Sequence, residues 1–147
     1  MAYAWEGIGK SPLTLVREEL SRRFVRSREV DGAFIDYTIL ADVDEEQEDL
    51  TAGVLYKNNS LFFIVDLMIE CPDDVEILAN VASIAYDLYS RDEPFYGRLL
   101  IRDGMTYYQL NHILGGSGML DPAMASFLLD LVLKEVQEVI NERNGAE

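Results

Sequence analysis

Apolar positions recur along this chain with two periods, and the points where the period changes mark out its elements. Leu13, Val16, Leu20 and Phe24 stand three or four residues apart, which predicts one buried stripe on a helix. Ser11 suits the cap of that helix and Pro12 its first turn. Arg22, Arg23 and Arg26 gather near its end, where positive charge suits the helix dipole. Over residues 32–40 the period drops to two, with Ala33, Ile35, Tyr37 and Ile39 on one face, and predicts a strand. Residues 51–57 and 60–70 predict two more strands. They are joined at Asn58-Asn59, because Asn tolerates the left-handed backbone of a tight hairpin. Pro72 ends the third strand. Residues 73–92 read as a long helix capped by Asp73 or Asp74. Ile77, Val81, Ile84 and Leu88 form one stripe; Val75, Leu78, Ala82, Ala85 and Tyr89 form a second beside it. An apolar arc that wide predicts burial on more than one side. Residues 95–102 and 105–110 flank Asp103-Gly104, a strong hairpin signal. After the "GGSG" loop, Asp121-Pro122 starts a last helix with Met124, Phe127, Leu128, Leu131, Val132, Val136 and Ile140 on its apolar face.

The expected order is therefore α-β-β-β-α-β-β-α. The short reversals make neighbouring strands antiparallel. The fold class is α+β, with a five-stranded antiparallel sheet packed by helices. One domain covers residues 11–143, after a flexible lead of residues 1–10 and before a tail of residues 144–147. The segment "ADVDEEQED" (41–49) reads as a charged loop.

Composition adds constraints. The chain has 147 residues, 49% of them apolar, enough for one sizeable core. No apolar run is long enough to span a bilayer, and no basic start followed by an apolar stretch marks a secretory leader. A single cysteine, Cys71, excludes an internal disulfide framework, and together these features favour the cytoplasm. The net charge of −15 resides wholly in residues 41–147; acids and bases balance over residues 1–40. Such a surface repels nucleic acid and anionic lipid and suits basic or amphipathic protein partners.

Several segments invite a chemical reading. Ala4 to Ser11, "AWEGIGKS", matches a relaxed phosphate-binding loop, and Asp66 at the end of "LFFIVD" matches a magnesium-holding acid. A nucleotide-binding hydrolase using Lys10 and Asp66 is thus the alternative reading. It lacks the context it needs: only three residues precede Ala4, too few for a delivering strand, and Leu67, Met68 and Ile69 continue the apolar run past Asp66. Asp42, Asp44 and Glu46 resemble the start of a calcium loop, but its sixth and twelfth places hold Gln47 and Gly53 instead of Gly and Glu. The lone His112 cannot build a multi-histidine metal site, and Ser117 lacks a nucleophile-elbow pattern. Cys71 sits beside Asp73 and Asp74, which oppose thiolate formation. Arg17, Arg22, Arg23, Arg26 and Arg28 form the basic cluster, read as a solvated helix face. Glu70, Asp87, Asp103 and Asp130 are scattered and define no acid pair. No catalytic residue, cofactor or metal ligand is expected.

The element order, the small acidic chain and the stretch "CPDDVEILANVASIAYDLYSRDEPFYGRLLIRDGMTYYQL", with Tyr96-Gly97-Arg98 opening a strand, resemble the YbjN-like family. Those proteins are similar in fold to type III secretion chaperones. The resemblance covers residues 11–143 and implies a twisted antiparallel sheet with helices on one side. It implies a binding module, chaperone-like or regulatory, that holds a partner polypeptide segment, and a homodimer. Ile77, Ile84 and Leu88 on the spare stripe of the 73–92 helix, with Tyr107 and Tyr108, are the expected partner contacts; core burial is their competing role.

Overall fold

Ser11 starts the first helix as expected. Its backbone is extended and its hydroxyl accepts from the Thr14 N–H at 3.2 Å, so helix α1 runs Pro12–Arg22 with Leu13, Val16 and Leu20 buried. In this computed structural model, which describes residues 11–43, 45–70, 90, 94–115 and 120–146, the helix stops sooner than its apolar period suggests. The Val25 N–H donates to the Leu20 carbonyl at 2.9 Å and the Phe24 N–H to the Ser21 carbonyl at 3.0 Å. That reversal needs a left-handed residue after the helix. Phe24 supplies it with φ of 60°, and its side chain is 96% exposed. The expected fourth member of the buried stripe thus points into solvent.

Six strands follow among the described residues: β1 (Ser27–Val30), β2 (Phe34–Val43), β3 (Glu46–Lys57), β4 (Ser60–Glu70), β5 (Arg98–Arg102) and β6 (Met105–Ile113). They form one sheet in the order β1-β2-β3-β4-β6-β5, antiparallel throughout. The expectation of five strands misses β1. It folds back on β2 through Asp31 and Gly32, both with positive φ, an Asp-Gly signal like the one at Asp103-Gly104. The expected acidic loop is also corrected. Ala41 pairs with Glu48, Asp42 with Gln47 and Val43 with Glu46, so the hairpin ladder continues almost to its tip. Charge does not prevent pairing where the side chains stay in water and the backbone is satisfied. Asn58 and Asn59 take positive φ between β3 and β4, as does Asp103 between β5 and β6. In β4 the register shifts between Asp66 and Ile69: Met68 is left-handed and its N–H donates to Asp66 Oδ1 at 2.9 Å.

Helix α2 (Pro122–Ala146) completes the described fold. Asp121 caps it, accepting from the Ala123 N–H at 2.7 Å. Both helices cover the same face of the sheet. Leu13, Val16 and Leu20 of α1 and Ala125, Leu128, Val132, Val136, Val139 and Ile140 of α2 meet Ile35, Tyr37, Val54, Leu61, Phe63, Val65, Tyr108 and Leu110 in one core. Each large apolar side chain so buried contributes roughly 1.5–3 kcal/mol. Met124 and Phe127, expected on that face, are 37% and 55% exposed, because the buried arc of α2 is centred on Val132, Val136 and Val139. The expected helix over residues 73–92, apart from Ser90, lies outside the described residues together with Cys71, Ile77, Ile84 and Leu88, as does the lead of residues 1–10.

Candidate partner-binding surfaces

Tyr108 illustrates how the buried face is organised. It is fully buried on β6, and its hydroxyl donates to Glu135 Oε1 at 2.7 Å. Glu135, itself 1% exposed, also accepts from the Gly97 N–H at 2.9 Å and the Tyr96 N–H at 2.7 Å. The buried carboxylate thus holds the chain just before β5 against α2. Burial, reinforced by the bond to Glu135, pushes the Tyr108 hydroxyl well above its ordinary pKa. Gly97 admits the ring: a Cβ there would stand 2.2 Å from Tyr108 Cε2. Phe95 meets the same ring edge-on at 6.1 Å. Tyr108 is therefore a core residue and not a contact surface. Glu135 is a polar group the sequence reading passed over, although it stands between Val132 and Val136 in the apolar stripe of α2.

The opposite face of the sheet has neither α1 nor α2 on it. Alternation brings Phe34, Leu55, Phe62, Ile64 and Tyr107 onto this face, all partly exposed, with Leu40 61% and Leu100 38% exposed. Tyr107, one of the expected contacts, stands here between Asp66 and Leu100. A depression of about 270 Å³ is lined by Phe34, Asp36, Gly53, Ile64, Asp66 and Tyr107. The Phe34 ring lies over Gly53, where a Cβ would come within 2.3 Å of it. Asp36 is paired with Arg28 at 2.8 Å.

A second concavity, about 610 Å³, wraps the edge of the sheet at the end of α1. Leu20, Val25, Leu129 and Leu133 form its apolar wall; Phe24, Arg26, Leu40 and Asp49 form its rim. Arg23 fixes this corner. Its guanidinium donates to Glu19 at 3.1 Å, Asp130 at 2.7 Å and the Ser126 hydroxyl at 2.9 Å, joining α1 to α2. Burial lowers the Arg23 pKa, but its hydrogen bonds to Asp130 and Glu19 outweigh that and raise it overall.

The remaining sequence candidates separate in space. Ser11 is a helix cap on the helical side of the sheet, whereas Asp66 is on the far face, bonded to the Met68 N–H. Lys10, with which the alternative reading pairs Asp66, lies outside the described residues, and the sheet has no parallel pair among the described residues. Asp42 and Glu46 are strand residues, and no group of three His, Cys, Asp or Glu able to hold a metal occurs among the described residues. His112 lies within β6 opposite Leu61. The basic cluster is largely neutralised: Arg17 pairs with Glu29, Arg22 with Glu19, Arg23 with Asp130 and Arg28 with Asp36. No helix among the described residues is long and apolar enough to cross a membrane. No known family model matches the chain, and no curated protein matches it.

Proposed function

We propose that this chain is a non-enzymatic protein-binding module, chaperone-like or regulatory, that holds a segment of a partner polypeptide in the cytoplasm. The face of the sheet away from α1 and α2 carries the reading. Phe34, Phe62, Ile64 and Tyr107 form a partly exposed apolar centre there, with Leu100 beside Tyr107. Apolar side chains left partly open to water on one sheet face mark an interaction site. A polypeptide segment is the ligand such a surface suits, through alternate apolar side chains. The excess of 15 negative charges keeps the free chain soluble and selects against acidic partners at long range. The resemblance of residues 71–110 to YbjN-like proteins supports the same reading. A homodimer belongs to it, on the width of the apolar arc over residues 73–92.

The test is suppression of aggregation. A chemically denatured reporter enzyme is diluted into buffer with the wild-type chain or with Ile64→Lys. Reduced light scattering with wild type, lost in a variant of unchanged melting temperature, is expected. Equal scattering with and without the wild-type chain removes the holding function. Sedimentation at high concentration decides the dimer, and a strict monomer ends that part.

A further inference from the structure

We infer that the outer edge of β2 at Thr38 and Leu40 accepts an extended polypeptide segment as an added strand, with one acidic side chain of that segment against Arg26. This rests on the reading that the ligand is a polypeptide, but it locates the contact at the outer edge of β2 rather than at the apolar centre around Ile64 and Tyr107.

The hydrogen-bond register identifies the edge. The Tyr56 N–H donates to the Ala33 carbonyl at 2.9 Å, so residues 33, 35, 37 and 39 direct their backbone groups at β3. Thr38, Leu40 and Asp42 therefore direct theirs outward. Strand β1 covers the outer edge only as far as Ser27 opposite Tyr37. Further along, Gln137 of α2 takes both outward groups of Asp42: the Asp42 N–H donates to Gln137 Oε1 at 2.9 Å, and Gln137 Nε2 donates to the Asp42 carbonyl at 3.0 Å. Between these two covers, the N–H and C=O of Thr38 and of Leu40 have no hydrogen-bond partner among the described residues. Four aligned backbone groups match an extended stretch of about three residues at a rise near 3.3 Å each.

The edge opens into the 610 Å³ concavity, lined by Thr38, Ile39 and Leu40 together with Val25, Leu129 and Leu133. Alternate side chains of an added strand would enter this apolar wall. Phe24 stands on the rim. In the free chain it is unfavourable twice over, as a bulky residue at φ 60° and as an aromatic ring 96% exposed. Arg26, also on the rim, forms no ion pair among the described residues, unlike Arg17, Arg22, Arg23 and Arg28. An unpaired guanidinium in a chain of net charge −15 fits a carboxylate. Asp49 on the same rim limits the match to one acid rather than an acidic run.

Amide hydrogen exchange by NMR on the full chain tests this. In the free chain the Thr38 and Leu40 amides are expected to exchange fast while Tyr37 and Ile39 are protected. Adding the capped peptide acetyl-Gly-Leu-Val-Glu-Val-Gly-amide should slow Thr38 and Leu40 at least tenfold and leave Ile39 unchanged. Replacing the peptide's Glu by Gln, or introducing Arg26→Ala, should weaken binding about two- to fivefold. Protection of Thr38 and Leu40 in the free chain at every concentration would assign the edge to the chain's own residues. Protection that grows with concentration would assign it to a second copy; either overturns the proposal. Peptide-induced shifts confined to Ile64 and Tyr107 would overturn it too, while leaving the holding function in place.

Discussion

The Tyr108 hydroxyl and the Glu135 carboxylate, on β6 and α2, meet at 2.7 Å inside the core, and the same carboxylate receives the backbone N–H groups of Tyr96 and Gly97. A buried carboxylate is tolerated only when donors replace its water, and here three do. Truncation by Glu135→Ala strands those donors. A loss of about 3–5 kcal/mol in urea denaturation is expected. Tyr108→Phe leaves Glu135 its two backbone donors and should cost about 1–2 kcal/mol. Equal stability of Glu135→Ala and wild type would mean that water reaches this site.

Two glycines face aromatic rings at nearly the same distance but should respond differently. Gly97→Ala drives a Cβ to 2.2 Å from the ring of Tyr108, which is fully buried and tied to Glu135, so the ring cannot yield. Overpacking of about 1–3 kcal/mol follows. Gly53→Ala meets Phe34 at 2.3 Å, but that ring is partly exposed on the face away from α1 and α2 and can swing outward. A cost under about 1 kcal/mol is expected. Thermal melts of the two variants give the order directly.

Phe24→Gly should raise stability. Glycine takes the left-handed position after α1 without the steric cost Phe bears there, and nothing buried is lost from a side chain 96% exposed. Against the extra entropy of glycine in the unfolded chain, the gain is about 0.5–1 kcal/mol. A destabilised variant would show that the ring packs against the protein.

Stability should fall at both ends of the pH scale. Burial pushes the Glu19 carboxyl up, but hydrogen bonds from Arg23 and Arg22 outweigh it and hold the group below its usual 4.5. A depressed folded value means the contribution is present above about pH 4.5 and lost as pH falls through the folded value. Denaturation curves between about pH 6 and pH 3 should therefore be flatter for Glu19→Gln than for wild type. At the alkaline end, burial raises the Tyr37 and Tyr108 hydroxyls far above 10.0, with Arg23 partly opposing at Tyr37 and Glu135 reinforcing at Tyr108. Their contribution is complete below pH 10 and is lost as pH rises toward the folded values. Ultraviolet titration should show these two phenols ionising only with unfolding.

Much of the fold is legible in local pattern. The alternation of Ile35, Tyr37 and Ile39 and of Leu61, Phe63 and Val65 selects the core face, because successive Cβ atoms point to opposite sides of a strand. Ser11, Asp121, Asn58-Asn59 and Asp103-Gly104 mark helix starts and reversals through chemistry confined to a few bonds. Asp31-Gly32 carried the same signal, and with it β1, but the strand is four residues long and has no alternation of its own to announce it. Glu135 stands in the apolar stripe of α2, yet only the approach of Tyr96, Gly97 and Tyr108 from distant positions makes a carboxylate tolerable there.

Tertiary structure alone decided the rest. It set Tyr107 and Tyr108 on opposite faces of the sheet, Tyr107 partly exposed on the face away from α1 and α2 and Tyr108 in the core. It placed Ser11 and Asp66 on opposite sides of the sheet. It also left the outward backbone groups of Thr38 and Leu40 without a partner among the described residues, while Gln137 closed the edge at Asp42. Residue type and spacing determine where a side chain points along its own element. Whether a backbone group or a face is satisfied depends on which remote segment arrives to cover it, and no local period encodes that arrival.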